Sequence, residues 1–335
     1  VNGERSPAGS AWLGFISLLL LVFWCAGSGK AAAYDCLDLR VMPLYSTGQT
    51  LFEGMVVEGK PQAGTGRRQR FLSFFADAAA SAAIELRVAT FAQTLHIDAE
   101  GVFSVTLPVL LTSGTVELRE TASGTRFFQR SFEFPARADF VLISDIDDTV
   151  LESDVPHKVR LVLKTIFKTV KGRRPVSGTP QLYRDLANKS PLGQPLIIFL
   201  SSSPSTLSRF LNAFLDQNGF PQRFICLKRS LQAEGLKARE HKLKWLKRLA
   251  GLYAGIPLLL LGDSGELDPE IYTEFLESTN HLCLGVVMRS LDQNLIDPRW
   301  VSILERLTKR SVPFFLWYSI ETLREQLKKA GLLPS

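Results

Sequence analysis

Six short apolar runs in the second half of this chain leave little freedom in how it can fold. They are Phe140–Ile143, Leu196–Leu200, Phe224–Leu227, Leu258–Leu261, Leu284–Met288 and Phe314–Trp317. Each is four or five residues long, and amphipathic helical stretches separate them. Strands that are apolar on both faces and alternate with helices imply a parallel sheet covered on two sides. In such a sheet the ligand site lies beyond the carboxyl ends of the strands. The residues that follow each run are therefore where chemistry is expected.

The first run ends in Ser144-Asp145-Ile146-Asp147-Asp148-Thr149. Carboxylates this close raise one another's pKa unless a cation neutralises them. Asp145 and Asp147 are two apart, so an extended backbone points both to one side. A hard-cation site follows, with Mg²⁺ favoured by the oxygen donors. The fourth run ends in Gly262-Asp263-Ser264-Gly265-Glu266-Leu267-Asp268-Pro269-Glu270, where Asp263 and Asp268 are placed to complete an oxygen shell. Asp263-Ser264-Gly265 also surrounds the nucleophile of trypsin-like serine proteases. That setting needs an all-β barrel and a second glycine where this chain has Glu266. The second run ends in Ser201-Ser202-Ser203-Pro204 before a helix-like segment, and hydroxyls with N–H groups at a helix start suit a phosphate. Between the third and fourth runs, His241 to Arg248 reads as a helix with Lys242 near its start. Lys242 is the expected anion clamp, with Lys237 and Lys244 as rivals.

Asp-x-Asp-x-Thr, then Ser, then Lys, then Gly-Asp-x-x-x-x-Asp at successive strand ends resembles the haloacid dehalogenase superfamily of aspartyl phosphotransferases. The finer wording is Ile143-Ser144-Asp145-Ile146-Asp147-Asp148-Thr149-Val150, Leu200-Ser201-x-Ser203-Pro204 and Gly262-Asp263-Ser264-Gly265-Glu266-x-Asp268-Pro269-Glu270-Ile271-Tyr272. It is similar to the actin-patch-associated phosphatidate phosphatase family over Phe140 to Leu332. The resemblance implies a Rossmann-like, haloacid dehalogenase-type parallel sheet. It implies Asp145 as nucleophile and Asp147 as acid and base. Mg²⁺ is implied on Asp145, Asp147 (through its main-chain carbonyl) and Asp263, with Asp268 orienting the metal shell. Ser201, Ser202 and Lys242 are implied at the phosphate and Thr149 as the tie between loop and sheet; Asp148 is either a second supporting residue or one that points to solvent. Ser202 departs from the family, which has Asn between the two serines of the phosphate-binding turn.

The first half reads differently. Thr50–Phe52, Ile84–Val88, Val102–Leu107 and Thr115–Arg119 are β-prone, and the last three alternate apolar with polar residues. About 100 residues of this kind make a small β-sandwich domain, expected over 35–137, with the catalytic domain over 138–335. Asp98-Ala99-Glu100-Gly101-Val102-Phe103 resembles the sandwich of bacterial relatives. Residues 1–33 read as a signal peptide or membrane anchor, because Arg5 precedes the apolar run Ala11–Ala26 and Ala31-Ala32-Ala33 follows it. The expected location is outside the cytoplasm, periplasmic or tethered.

Four cysteines in 335 residues exclude a disulfide scaffold. Cys226 and Cys283 sit in strand-like runs where buried free thiols are usual. The net charge of +6 is uneven. Residues 157–174 hold seven cationic side chains and no acid, and residues 223–248 hold nine against Glu234 and Glu240. Together they carry +14. The first has an apolar stripe of Val159, Val162, Leu163, Ile166 and Val170, a pattern suited to peripheral contact with an anionic membrane. Interleaved exposed aromatics are lacking, which argues against nucleic acid. The expectation is hydrolysis of phosphatidate to diacylglycerol and phosphate. The alternatives are the same chemistry on a soluble phosphomonoester, and a silent module that binds anionic lipid.

Overall fold

The six apolar runs form the six strands of one parallel sheet. The computed structural model describes residues 34–58, 78–79, 82–151, 174–228, 238–265, 267–291 and 298–335. The expected leader (1–33), Lys237 and the basic segment from Lys158 to Arg173 lie outside the described residues. Among the described residues no helix is long and apolar enough to cross a membrane.

The amino-terminal strands are β1 (Tyr34–Cys36), β2 (Arg40–Leu44), β3 (Gln49–Glu58), β4 (Ile84–Val88), β5 (Phe91–Leu95), β6 (Val102–Leu107), β7 (Ser113–Glu120) and β8 (Arg126–Glu133). They make two antiparallel sheets. In one, β3 pairs with β1, β2 and β6; the other has the order β5-β4-β7-β8. In β4, Ile84, Leu86 and Val88 are buried while Glu85 and Arg87 alternate outward, which gives the sheet one dry face. Phe52 of β3 meets Phe132 of β8 edge-on at 6.3 Å, so the two sheets share a core. This β-rich layering is compatible with the expected sandwich. Asp98 ends the connection into β6 by accepting the Glu100 and Val102 amides on Oδ1 at 2.9 and 2.8 Å, with Gly101 at φ +78°.

The parallel sheet comprises β9 (Phe140–Ser144), β10 (Pro195–Pro204), β11 (Phe224–Lys228), β12 (Leu258–Asp263), β13 (Cys283–Arg289) and β14 (Phe314–Trp317). Its order is β11-β10-β9-β12-β13-β14, a doubly wound order that reverses direction between β9 and β12. The helices are α1 (Thr179–Lys189), α2 (Ser208–Gln217), α3 (Ala238–Leu252), α4 (Asp268–Glu277), α5 (Pro298–Lys309) and α6 (Ile320–Lys329). Strand residues alternate between two cores. Val141, Ile143, Ile198 and Leu260 face one, Phe140, Leu142, Phe199 and Leu259 the other. Burying each such side chain stabilises the fold by roughly 1.5–3 kcal/mol.

The first of those cores continues into the β-rich region. Phe134 meets Phe224 edge-on at 6.4 Å. Arg248 of α3 donates Nη1 to Glu53 Oε2 at 2.9 Å and pairs through Nη2 with Oε1. The indole of Trp245 meets both Arg40 and Arg248, whose guanidinium carbons lie 5.2 and 4.8 Å from its ring centre. Asp35 pairs with Arg209 at the head of α2. The β-rich region is thus fastened to the two helices that flank β11.

Cys36, Cys226 and Cys283 are buried free thiols, as the strand context of the last two predicts. In the basic segment 223–248, Arg223 and Lys242 are buried, Lys228 and Arg248 are half-buried, and Arg239, Lys244 and Lys247 are exposed. Arg223 is buried at the amino end of β11 and paired with Asp216, and Arg248 is held by Glu53.

Candidate active site

Asp145 follows directly on β9, where the sheet reverses direction. Its N–H donates to the Leu261 carbonyl at 2.9 Å, which extends the β9–β12 pairing by one residue. Behind it, Ser144 Oγ donates to the Asp145 carbonyl at 2.7 Å. The Ser144 hydroxyl then accepts from Tyr183 Oη of α1 at 2.5 Å. The chain folds back at once: Val150 and Leu151 donate to the Ile146 carbonyl at 2.9 and 3.0 Å, and Thr149 N–H to the Asp147 carbonyl at 2.7 Å. Asp148 adopts φ +53°, a left-handed conformation that Asp tolerates better than most residues. Arg289 at the end of β13 holds the Asp148 carbonyl at 2.5 Å.

Three carboxylates converge there. Oxygens of Asp145, Asp263 and Asp268 lie within 4.8 Å of one another, and all three residues are buried. Asp263 closes β12, and its Oδ1 accepts the Gly265 N–H at 2.6 Å. Asp268 opens α4 and packs on Gly262. A Cβ at 262 would come within 2.7 Å of Asp268 Oδ2, so only glycine fits beneath it. Lys242 of α3 reaches in from the side, its Nζ 2.7 Å from Asp145 Oδ1 and 2.5 Å from Asp268 Oδ1. Its rival Lys244 is exposed.

Burial pushes the Asp145 carboxyl well up from its ordinary value. Lys242 opposes the shift, and Asp268, Asp147 and Asp263 add to it. Burial and then Asp268 push Asp263 up to about 7. Ionised together, three carboxylates against one ammonium would leave two negative charges in a buried place. Asp145 Oδ2 and Asp263 Oδ2 are buried with no hydrogen-bond partner. An all-oxygen donor set with orphaned, excess negative charge fits a hard divalent cation.

Asp147 turns the other way. Its Oδ2 accepts from the hydroxyls of Ser201 at 3.1 Å and Ser203 at 3.2 Å, and Ser201 Oγ accepts the Ser203 N–H at 3.0 Å. The expected residues thus fall into two linked groups: Asp145, Asp263, Asp268 and Lys242 in one, Asp147 and Ser201 in the other. The Asp147 carboxylate lies outside the convergent trio. The Ser202 hydroxyl is buried and makes no hydrogen bond, while Ser203, its neighbour, reaches Asp147. Thr149 ties the turn through its N–H, whereas its buried hydroxyl makes no hydrogen bond. Asp148 is half-buried and does not face fully into solvent.

Sequence reasoning left out Ser203, His241 and Tyr183. Period-2 alternation along an extended segment was the available signal for Ser203, since it shares a face with Ser201. His241, buried on α3, sets Nε2 3.1 Å from the Ser201 carbonyl. Nothing in its local sequence indicates that contact.

Residues 140–290 match the family described as phosphatidate phosphatase APP1, catalytic domain. The likeness is confined to that segment. The match runs from the first residue of β9 to just beyond β13, so it contains every carboxylate, serine and lysine of the site. No curated protein matches the chain. Among solved structures, a putative alpha amylase from Salmonella typhimurium shares 10% identity over 72% of this chain and 48% of its own, with a TM-score of 0.23. A carbohydrate acetylesterase from Xanthomonas citri shares 12% over 88% and 67%, with a TM-score of 0.25. A pullulanase from Bacillus acidopullulyticus shares 10% over 79% and 42%, with a TM-score of 0.22. The chain spans about half the length of the amylase and less of the pullulanase. These likenesses are too slight to bear on activity.

Proposed function

We propose that the chain is a Mg²⁺-dependent phosphatase of the haloacid dehalogenase type, hydrolysing phosphatidate to diacylglycerol and phosphate. The observation that carries this reading is the place of Asp145 within the APP1 catalytic-domain segment. It is a buried carboxylate at the point where the sheet reverses direction, paired with Lys242 and facing two further carboxylates.

Asp145 attacks phosphorus and forms an aspartyl phosphate as the bond to the lipid oxygen breaks. Asp147 gives its proton to the departing alcohol. It then takes one from the water that cleaves the acyl phosphate, which returns Asp145 as a carboxylate and releases phosphate. Ser201 and Ser203 hold Asp147 in place. Ser201 and Lys242 are within reach of non-bridging oxygens, and Ser202 is the residue whose exchange for Asn tests leaving-group preference. Mg²⁺ would be held by Asp145, the Asp147 carbonyl and Asp263, with Asp268 steadying the set. There it would screen the repulsion between nucleophile and phosphate. In this reading the β-rich region is a sandwich that accompanies the catalytic domain. The protein is exported and acts at an anionic membrane surface.

Phosphate release from phosphatidate, lysophosphatidate and a panel of soluble monoesters, with Mg²⁺ or EDTA, tests the reading. Release from phosphatidate that needs Mg²⁺ and is lost in Asp145→Asn is the expected result. Strict preference for soluble esters overturns the substrate, and full activity of Asp145→Asn overturns the mechanism. Vesicles containing phosphatidate should co-sediment the chain at low salt better than neutral ones. Equal binding counts against membrane contact.

A further inference from the structure

The carbonyl of Ser201 finds its partner outside the sheet. β10 pairs with β9 as far as Phe199 and Ser144, and with β11 as far as Leu200 and Cys226. The β11 register is then broken until Pro204. Ser201 lies in that break and is fully buried. A buried carbonyl there needs a donor from elsewhere. His241 provides one, its Nε2 3.1 Å from the Ser201 oxygen. Because a carbonyl only accepts, the hydrogen of that contact sits on Nε2.

Ser201 is also the residue whose hydroxyl holds Asp147 and accepts the Ser203 N–H. Its carbonyl and hydroxyl are thus fixed at opposite ends, one by α3 and one by the β9 turn. We propose that His241 is a positioning residue: through Nε2–H it holds the Ser201 main chain where that strand leaves the sheet. In doing so it sets the two serine hydroxyls that grip Asp147. The inference rests on the reading of Asp147 as the acid and base. His241 and Lys242 are consecutive on α3, so one helix places the ammonium beside Asp145 and fixes the loop beside Asp147. Burial pushes the imidazole down to about 4, with Lys242, Lys228 and Arg40 also opposing its charge. The ring is therefore neutral at physiological pH, with one hydrogen to donate.

Glutamine sets an amide N–H at nearly the same reach from Cβ as Nε2, whereas leucine fills similar space without a donor. The test compares His241→Gln and His241→Leu in the full chain by two readouts. One is kcat and KM for phosphate release. The other is hydrogen exchange at the Ser203 amide, measured without substrate. His241→Leu is expected to lower kcat about tenfold, 1.36 kcal/mol of barrier, with KM little changed, and to speed Ser203 exchange about tenfold. His241→Gln is expected to restore both. Where the leucine variant does not fold, His241→Asn replaces it, since its amide is one methylene short of the carbonyl. Wild-type kcat and wild-type Ser203 protection in the donor-less variant overturn the proposal, as does a glutamine variant that fails equally. A chain inactive on every ester refutes the phosphatase reading, while the exchange comparison still decides on His241.

Discussion

Lys242 Nζ lies 2.7 Å from Asp145 Oδ1, and 1% of each side chain is exposed. An ammonium buried this completely is held by its carboxylates, here Asp145 and Asp268. Removing one partner of a buried pair costs about 3–5 kcal/mol because the other charge is left uncompensated. Lys242→Met should lower stability by about that amount in urea unfolding and cut phosphate release at least about 100-fold. An undiminished rate would remove Lys242 from the site.

Gly262 tests the packing beneath Asp268. Alanine there places a Cβ 2.7 Å from Asp268 Oδ2, which must shift away from Lys242. The cost to stability should be about 1–3 kcal/mol, while activity falls further than in a variant equally destabilised elsewhere. Thermal unfolding and phosphate release on the same preparation check both halves of this.

The carboxylate trio predicts a metal effect that needs no substrate. Mg²⁺ at about 100 times its dissociation constant should stabilise the fold by about 2.7 kcal/mol through linkage. The unfolding midpoint should rise with Mg²⁺ and not with Na⁺ at equal ionic strength. In Asp263→Asn the rise should vanish, since Asp263 Oδ2 is a buried oxygen with no hydrogen-bond partner. A rise of equal size in the variant would place the cation elsewhere.

His241 makes stability depend on acid. Its folded pKa of about 4 lies below the ordinary 6.5, so between those values the unfolded chain binds the proton first. The stabilisation is fully present above pH 6.5 and is lost as pH falls toward 4, about 3 kcal/mol at 1.36 kcal/mol per pK unit. The difference in unfolding free energy between the wild type and His241→Gln should open over that window. A constant difference from pH 7 to pH 4 would contradict a neutral buried imidazole.

What the sequence disclosed follows from local physics. Runs apolar on both faces pointed to strands of a covered parallel sheet, and all six were found as its strands, with β11 and β14 at the edges. Asp145 and Asp263 meet because β9 and β12 are neighbours at the reversal, a consequence of strand order that motif spacing already reflects. The contacts made by helices and by chain direction were harder to read. Lys242 is buried and Lys244 exposed because of how α3 is turned against the sheet, which depends on Leu243, Leu246 and Leu249 in the core. Pairing is likewise hidden from formal charge: Glu53, nearly two hundred residues earlier in the chain, neutralises Arg248.

The central claim is that Asp145 is phosphorylated during turnover. The most direct measurement is to quench the enzyme during hydrolysis of phosphatidate, reduce the acyl phosphate with borohydride and map the modified residue by mass spectrometry. The account predicts reductive conversion at Asp145 in the wild type and none in Asp145→Asn. Turnover with Asp145 unmodified, or modification at Asp147 instead, would contradict it.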